Sequence, residues 1–269
     1  MIVYNNESLR PVVKEIYQTI IGGIREGYGD AQVIELTDAV VDESAAEVAV
    51  VLGNYAVRQA LAMELALPLV VGATSWSTDG VHGVSVTADP TVVFQKLQAL
   101  VPEVEHVYMV LDANRQLLDI ANLVTSGQRY GIEVIIEQAT DIREAAAIYG
   151  KFLTKLRSED ALWIPPGDRF VNKALLSRLL LKSWRWQFAV ISSNPSYVGK
   201  GALFSVSPDY HLMGKRLGQL ARQLADGSIQ PAKIQSLKDV VLSVNQKMAN
   251  HIGIRLDKQL PMDQSIQLR

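Results

Sequence analysis

The sequence predicts an α/β protein made of two tandem units, each a parallel sheet covered by helices. Two observations carry this prediction. Short β-rich apolar runs alternate with segments of helical period along almost the whole chain, which is the pattern of strand-helix-strand crossovers. That pattern closes at Val101-Pro102, a helix-ending pair, and then starts again. A length of 269 residues is enough for two modest units that each bury a core.

The first unit opens with a strand at Ile2 to Tyr4 and a helix whose apolar stripe is Val12, Val13, Ile16, Tyr17, Ile20 and Ile24. AEVAVVLG (46 to 53), a helix from about Val57, LPLVVGAT (67 to 74), GVSVT (83 to 87) and a helix carrying Val93, Leu97 and Leu100 complete it. The second unit begins at EHVYMVLDAN (105 to 114), followed by a helix through Leu117, Ile120, Ala121 and Val124 and the strand IEVIIEQ (132 to 138). Asp141 with Glu144 three residues on has capping-box spacing and opens the next helix. ALWIPP (161 to 166), a helix near 171 to 183, FAVISSN (188 to 194) and ALFSVS (202 to 207) finish the set. Trp184 and Trp186, in SWRWQ, are expected to cover the sheet edge before the next strand. Beyond it, Ser207 is expected to cap a helix with Pro208 in its first turn and Met213, Leu217, Leu220, Ala221 and Leu224 buried. The tail holds VVLSVN (240 to 245), a short helix and Gly253, too little for a third domain.

Composition narrows the function. An apolar fraction of 48%, a charged fraction of 20% and a net charge of -2 describe a globular protein with no strong field of either sign. No basic stripe with interleaved aromatics appears, so nucleic acid is not expected as a partner. The chain has no cysteine, which removes disulfides, thiolate metal sites and cysteine nucleophiles. No apolar run approaches the roughly 20 residues that span a bilayer. MIVYNNESLRP lacks the parts of a secretory signal, so the expected states are a cytoplasmic chain or a mature form whose signal has been removed.

In open α/β sheets ligands bind beyond the carboxyl ends of the strands, where loops and helix N-termini supply hydrogen bonds. That rule selects Asn5, Asn6, Gly53-Asn54-Tyr55 and Thr74-Ser75-Trp76 in the first unit. In the second it selects Asp112, Asn114, Gly167-Asp168-Arg169 and Ser192-Ser193-Asn194. Facing one another, the two edges would make a polar cleft for a small polar or zwitterionic ligand. Asp112 or Asp168 would accept an amine and Arg169 a carboxylate. Asn54, Ser193 and Asn194 would orient polar groups, and Trp76 or Tyr55 would cover an apolar part. The same residue types are also ordinary turn formers and helix caps, and Asp168 beside Arg169 is equally a plain ion pair.

Enzyme signatures are missing: no GxxxxGK[ST], no GxGxxG after a strand and no GxSxG. His82, His106, His211 and His251 are scattered without metal-ligand spacing, and no motif calls for a cofactor. Carboxylates brought together by folding leave no local trace, so an α/β enzyme acting on a small metabolite stays open as an alternative.

Three stretches are more specific: ALWIPPGDRFVN, then SSNPSYVGKGALFSVSPDYHLMGKRLGQLARQLADG, then VVLSVNQKMANHIGI. In this order they resemble the ABC transporter substrate-binding proteins related to the tryptophan- and tyrosine-binding lipoproteins. LVPEVEHVYMVLDAN and LGNYAVRQAL are similar to a crossing segment and a loop of that family, and the resemblance covers about residues 47 to 258. It implies a type I periplasmic binding protein: two Rossmann-like lobes, three hinge crossings and a ligand held by lobe closure. The lobes would be residues 1–101 with 207–234, and 102–206 with 235–269. It places family positions on Asn54 and Tyr55, on Asp168, and on Ser207, Asp209 and Tyr210, and it reads the 207 joint as a hinge. Asp209 and Tyr210 then join Asn54, Tyr55, Ser75, Trp76, Asp112, Asp168, Arg169, Ser193 and Asn194 as candidate ligand-binding residues. The implied setting is the periplasm, with a membrane permease or sensor as partner and a small polar molecule, such as an amino acid, as ligand. LPLVVGATSWSTDGVHGVS is shorter than the corresponding family segment, and His82 stands at a family threonine, which points to a different ligand or to a sensing rather than a transport role.

Overall fold

The computed structural model describes residues 1–4, 11–35, 46–74, 80–115, 118–228, 233–256 and 266–268. The chain divides into two compact units, Met1–Thr87 with Pro208–Asp239 and Ala88–Ser207 with Val240–Arg269. It therefore passes between units three times, after residues 87, 207 and 239.

The first unit contains β1 (Ile2–Tyr4), α1 (Pro11–Tyr28), β2 (Val33–Glu35), β3 (Ala49–Leu52), α2 (Asn54–Ala62), β4 (Leu69–Thr74) and β5 (His82–Ala88). The second begins with α3 (Pro90–Leu100), β6 (His106–Asp112), α4 (Ile120–Gln128), β7 (Glu133–Ala139) and α5 (Ile142–Lys155). It continues through β8 (Asp160–Ile164), α6 (Lys173–Trp186), β9 (Ala189–Ser192), a 3-10 turn at Pro195–Lys200 and β10 (Phe204–Pro208). α7 (Tyr210–Ala225) and β11 (Ile234–Leu237) return to the first unit, and β12 (Val240–Val244), α8 (Gln246–His251) and β13 (Ile266–Leu268) to the second.

The first sheet has the order β11-β5-β4-β3-β1-β2 and the second β13-β12-β10-β9-β8-β6-β7. β2, β1, β3, β4 and β5 pair in parallel, as do β7, β6, β8, β9 and β10. Strands with both faces covered read as continuous apolar runs, and β8 and β3 show why. Ala161 and Trp163 of β8 enter one core cluster while Leu162 and Ile164 enter another on the opposite face. In β3, Val50 and Leu52 separate from Ala49 and Val51 in the same way. Each unit is thus a three-layer α/β body, as the alternation of elements predicts.

Four expectations change. α3 belongs to the second unit, because Val93, Phe94, Leu97 and Leu100 are buried in its core with Trp163, so the first crossing lies at 87 rather than 101. β11 extends the first sheet, which moves the last crossing from 234 to 239. The cap of α7 is Asp209 rather than Ser207: its carboxylate accepts from the Leu212 N–H at 3.0 Å, and Pro208 stays in the preceding strand. The Trp pair of SWRWQ closes α6, which runs three residues further than expected.

Within the first unit α7 lies along α1 with glycines at the crossing. A side chain at Gly23 or Gly214 would run into the backbone carbonyl of His211 or Ile20, and Gly27 and Gly218 are equally closed. Glu26 ties the pair at the surface, accepting from Lys215 and, at 2.8 Å, from His211.

Candidate functional site

The carboxyl edge of the first sheet starts from Gly53, which follows β3 with φ +88° and caps α2. Only glycine suits this turn, because its conformation is left-handed and a side chain would meet the Tyr17 hydroxyl. Helix α2 therefore begins at Asn54, three residues earlier than expected, and presents Asn54 and Tyr55 in its first turn. Tyr55 is 57% exposed. Thr74, at the end of β4, donates its hydroxyl to the Asn54 side-chain oxygen at 2.5 Å. Beside it the β4–β5 register shifts between Val71 and Thr74, and Ala73 takes φ +51°. A non-glycine residue held there costs of order 1–3 kcal/mol, and such strain concentrates at functional edges. Ser75 and Trp76, like Asn5 and Asn6, lie outside the described residues.

Asp209 and Tyr210 also belong to this unit. Besides capping α7, Asp209 donates its N–H to the Asp239 carbonyl at 3.0 Å. Tyr210 packs against the core, and burial raises its pKa. His82 begins β5 at its amino end and is 6% exposed, on the edge of the sheet opposite Asn54.

The second sheet gathers more charge. Asp112 ends β6, and the loop after β8 runs Pro165-Pro166-Gly167-Asp168-Arg169, with Gly167 at φ +68° turning the chain back. Arg169 donates from Nε to Asp112 Oδ2 at 2.5 Å, and from Nη2 to Asp112 Oδ1 at 3.2 Å and the Thr140 carbonyl at 3.1 Å. Asn114 donates its side-chain N–H to the same carbonyl and its backbone N–H to Asp112. The Arg169 hydrogen bonds hold Asp112 below its ordinary pKa. Asp168 shifts the other way: burial raises its pKa and the charge of Asp112 adds to the rise, against the N–H groups of Val171 and Phe170 that it accepts.

Of these groups, Asp112 and Asp168 border a cavity of about 150 Å³, lined also by Val110, Leu111, Gln138, Pro165 and Phe170 among others, while Arg169 reaches it only through Asp112. Sites that enclose a drug-sized ligand run to about 300–1,000 Å³, so this cavity is too small to enclose one. The next strand, β9, brings Ser193 and Asn194 close, since the Ser193 N–H donates to the Ile164 carbonyl. Asn194 caps the turn at 195–200, accepting from Ser196. Sequence reasoning missed Gln138, Phe170 and Tyr149. Gln138 reads as an unremarkable strand residue. Tyr149 lies on α5, fully buried, with a hydroxyl that has no hydrogen-bond partner among the described residues and with its pKa pushed well up by burial and then by the charge of Asp168.

Residues 59–264 match the family described as ABC transporter substrate binding protein. The chain belongs to that family. It is therefore a solute-binding protein of the ABC type, in a family of binding proteins rather than enzymes. No curated protein is similar enough in sequence to match it. Among solved structures, an ABC domain from Streptococcus pneumonia in complex with L-Trp has 18% identity and a TM-score of 0.61, covering 100% of this chain and 99% of that one. The ligand-free, open structure of a substrate-binding protein with adhesive properties from Clostridium difficile has 15% identity and a TM-score of 0.66, covering 100% and 97%. A LacI-family transcription regulator from Corynebacterium glutamicum, 16% identical, reaches a TM-score of 0.53 over 89% of this substrate-binding protein and 96% of its own chain. These likenesses show the type I periplasmic binding fold, and no described helix is long and apolar enough to cross a membrane.

Proposed function

We propose that this substrate-binding protein takes up a small polar molecule with a primary amine, such as an amino acid, outside the cytoplasmic membrane and delivers it to a permease. The observation that carries this reading is that Asp112 and Asp168 line the same 150 Å³ cavity, with Arg169 hydrogen-bonded to Asp112. Asp168 would accept the amine, since each of its oxygens keeps a free lone pair after the backbone bonds. Arg169 commits Nε and Nη2 to Asp112 and Thr140, which leaves the two Nη1 donors for a ligand carboxylate.

Because the cavity is too small to enclose a ligand, the remaining contacts would come from the first unit's edge, with Asn54, Tyr55, Ser75 and Trp76 closing on the other end. Ser193, Asn194, Asp209 and Tyr210 would flank it. Binding would then shift the protein from an open to a closed population. Thermal-shift screening of amino acids and related amines, paired with small-angle scattering, tests this. A stabilising amine that also compacts the particle is the expected result, and stabilisation lost in Asp168→Asn assigns the site. A panel in which no amine raises the melting temperature defeats the reading, and turnover of a stabilising compound would favour an enzyme instead.

A further inference from the structure

We propose that the outer face of α6, with the turn at 195–200 and α8, docks onto anionic phospholipid bilayers. The charge distribution motivates this. Although the whole chain carries -2, the stretch between Asp168 and Asp209 holds no Asp or Glu but has Arg169, Lys173, Arg178, Lys182, Arg185 and Lys200. Between Asp239 and Asp257 the charged residues are again only cations, Lys247 and Arg255. The linear sequence shows no basic stripe, because these residues align only when positions three and four apart share a helix face.

Helix α6 buries Leu175, Leu176, Leu179, Leu180 and Ser183. Its other side carries Arg178, Arg185 and Lys182 around Leu181, which is 63% exposed, and Trp184, 40% exposed. The tryptophans are fixed in place. Trp184 stacks on His251 at 3.5 Å with an interplanar angle of 5°, and His251 donates through Nε2 to the Trp184 carbonyl at 2.8 Å. The Lys182 ammonium sits 4.0 Å from the centre of the Trp186 ring. Beside them Leu176, Leu180, Leu181, Trp184 and Tyr197 line an open groove of about 620 Å³, with Lys173 and Lys200 also on its walls.

Exposed Trp and Leu interleaved with long cationic side chains, and no carboxylate among them, complement the headgroup layer of an anionic membrane. There aromatic rings lie at the interface and each cation meets phosphate. Each Lys or Arg near such a surface strengthens binding by roughly fivefold. The groove gives Leu181 and Trp184 an apolar flank against which an acyl segment can rest.

Sedimentation of the full chain with phosphatidylcholine vesicles containing 0 to about 40% phosphatidylglycerol tests the proposal. Partitioning should rise with phosphatidylglycerol and fall steeply with added salt. Lys182→Glu with Arg185→Glu should weaken it at least tenfold, and Leu181→Asp should weaken it at constant ionic strength. Arg129→Glu, at the end of α4, which packs on the face of the second sheet opposite α6, should leave it unchanged. The proposal is overturned by partitioning that ignores phosphatidylglycerol, by none at any composition, or by variants that bind as the parent does. Retention on heparin without vesicle binding also overturns it, in favour of another polyanion.

Discussion

Asp112 and Asp168 border one cavity yet are driven in opposite directions, and this sets their pH behaviour. Asp112, depressed by Arg169, contributes stability above the ordinary carboxylate range that is lost as pH falls through its lowered pKa. Asp168, raised chiefly by burial, holds its proton more tightly folded than unfolded, so its contribution declines as pH rises from the ordinary Asp range through the raised value. Urea melts of Asp168→Asn across the carboxylate range should therefore gain on the parent as pH rises; a difference independent of pH would contradict the burial argument. An amine ligand needs the ionised form, so its affinity should fall with acid sooner than at an ordinary aspartate. Arg169→Ala should cost about 1–2 kcal/mol: its own side chain is 46% exposed, but Asp112, whose side chain is 10% exposed, loses its charge partner. The same substitution should weaken any carboxylate ligand far more than it weakens the fold, which titration against the matching amine lacking a carboxylate would reveal.

At the scale of elements, caps and close helix contacts carry the stability predictions. Asp209→Ala removes the acceptor for the Leu212 N–H and should lower unfolding free energy by about 1 kcal/mol, while Asp209→Asn should recover most of it. Gly214→Ala is more severe, because the new methyl group meets the Ile20 carbonyl and α7 must move off α1. Overpacking of this kind costs about 1–3 kcal/mol, read as a lowered denaturant midpoint. These elements also show what could be read beforehand. The stripe of α7 and the runs of β3, β6, β8 and β9 were legible because apolar period alone dictates them. Membership of α3 was not, since its stripe fits a partner on either side of the 87 crossing and only packing against Trp163 decides it. Ser207 lost the cap to Asp209 because both residue types suit it and the choice depends on where the strand lets go.

For the molecule as a whole, the candidate site was legible in part for the same reason. Strand ends are visible in sequence, so Asp112 and Asp168 were found, whereas the Asp112–Arg169 pairing joins residues 57 apart and appears only once β6 and β8 are neighbours. A ligand that binds only the folded protein stabilises it by about 2.7 kcal/mol at a hundred times its dissociation constant. For a chain of this size that corresponds to a rise of roughly 5–10 °C in melting temperature, large enough for a screen to detect.

The glycine-lined crossing of α1 and α7 also governs when the protein can finish folding during synthesis. Glu26 and Lys215 stand 189 residues apart, so α1 emerges from the ribosome long before the helix that covers it. Until Tyr210–Ala225 follows, Ile20, Ile21 and Ile24 have no helix to bury them, and the sheet of the first unit lacks one cover. The unit whose residues are made first is thus completed late, after most of the second has been made. A nascent chain arrested near residue 205 should accordingly expose α1 to proteases and chaperones, and one arrested well past 239 should shield it.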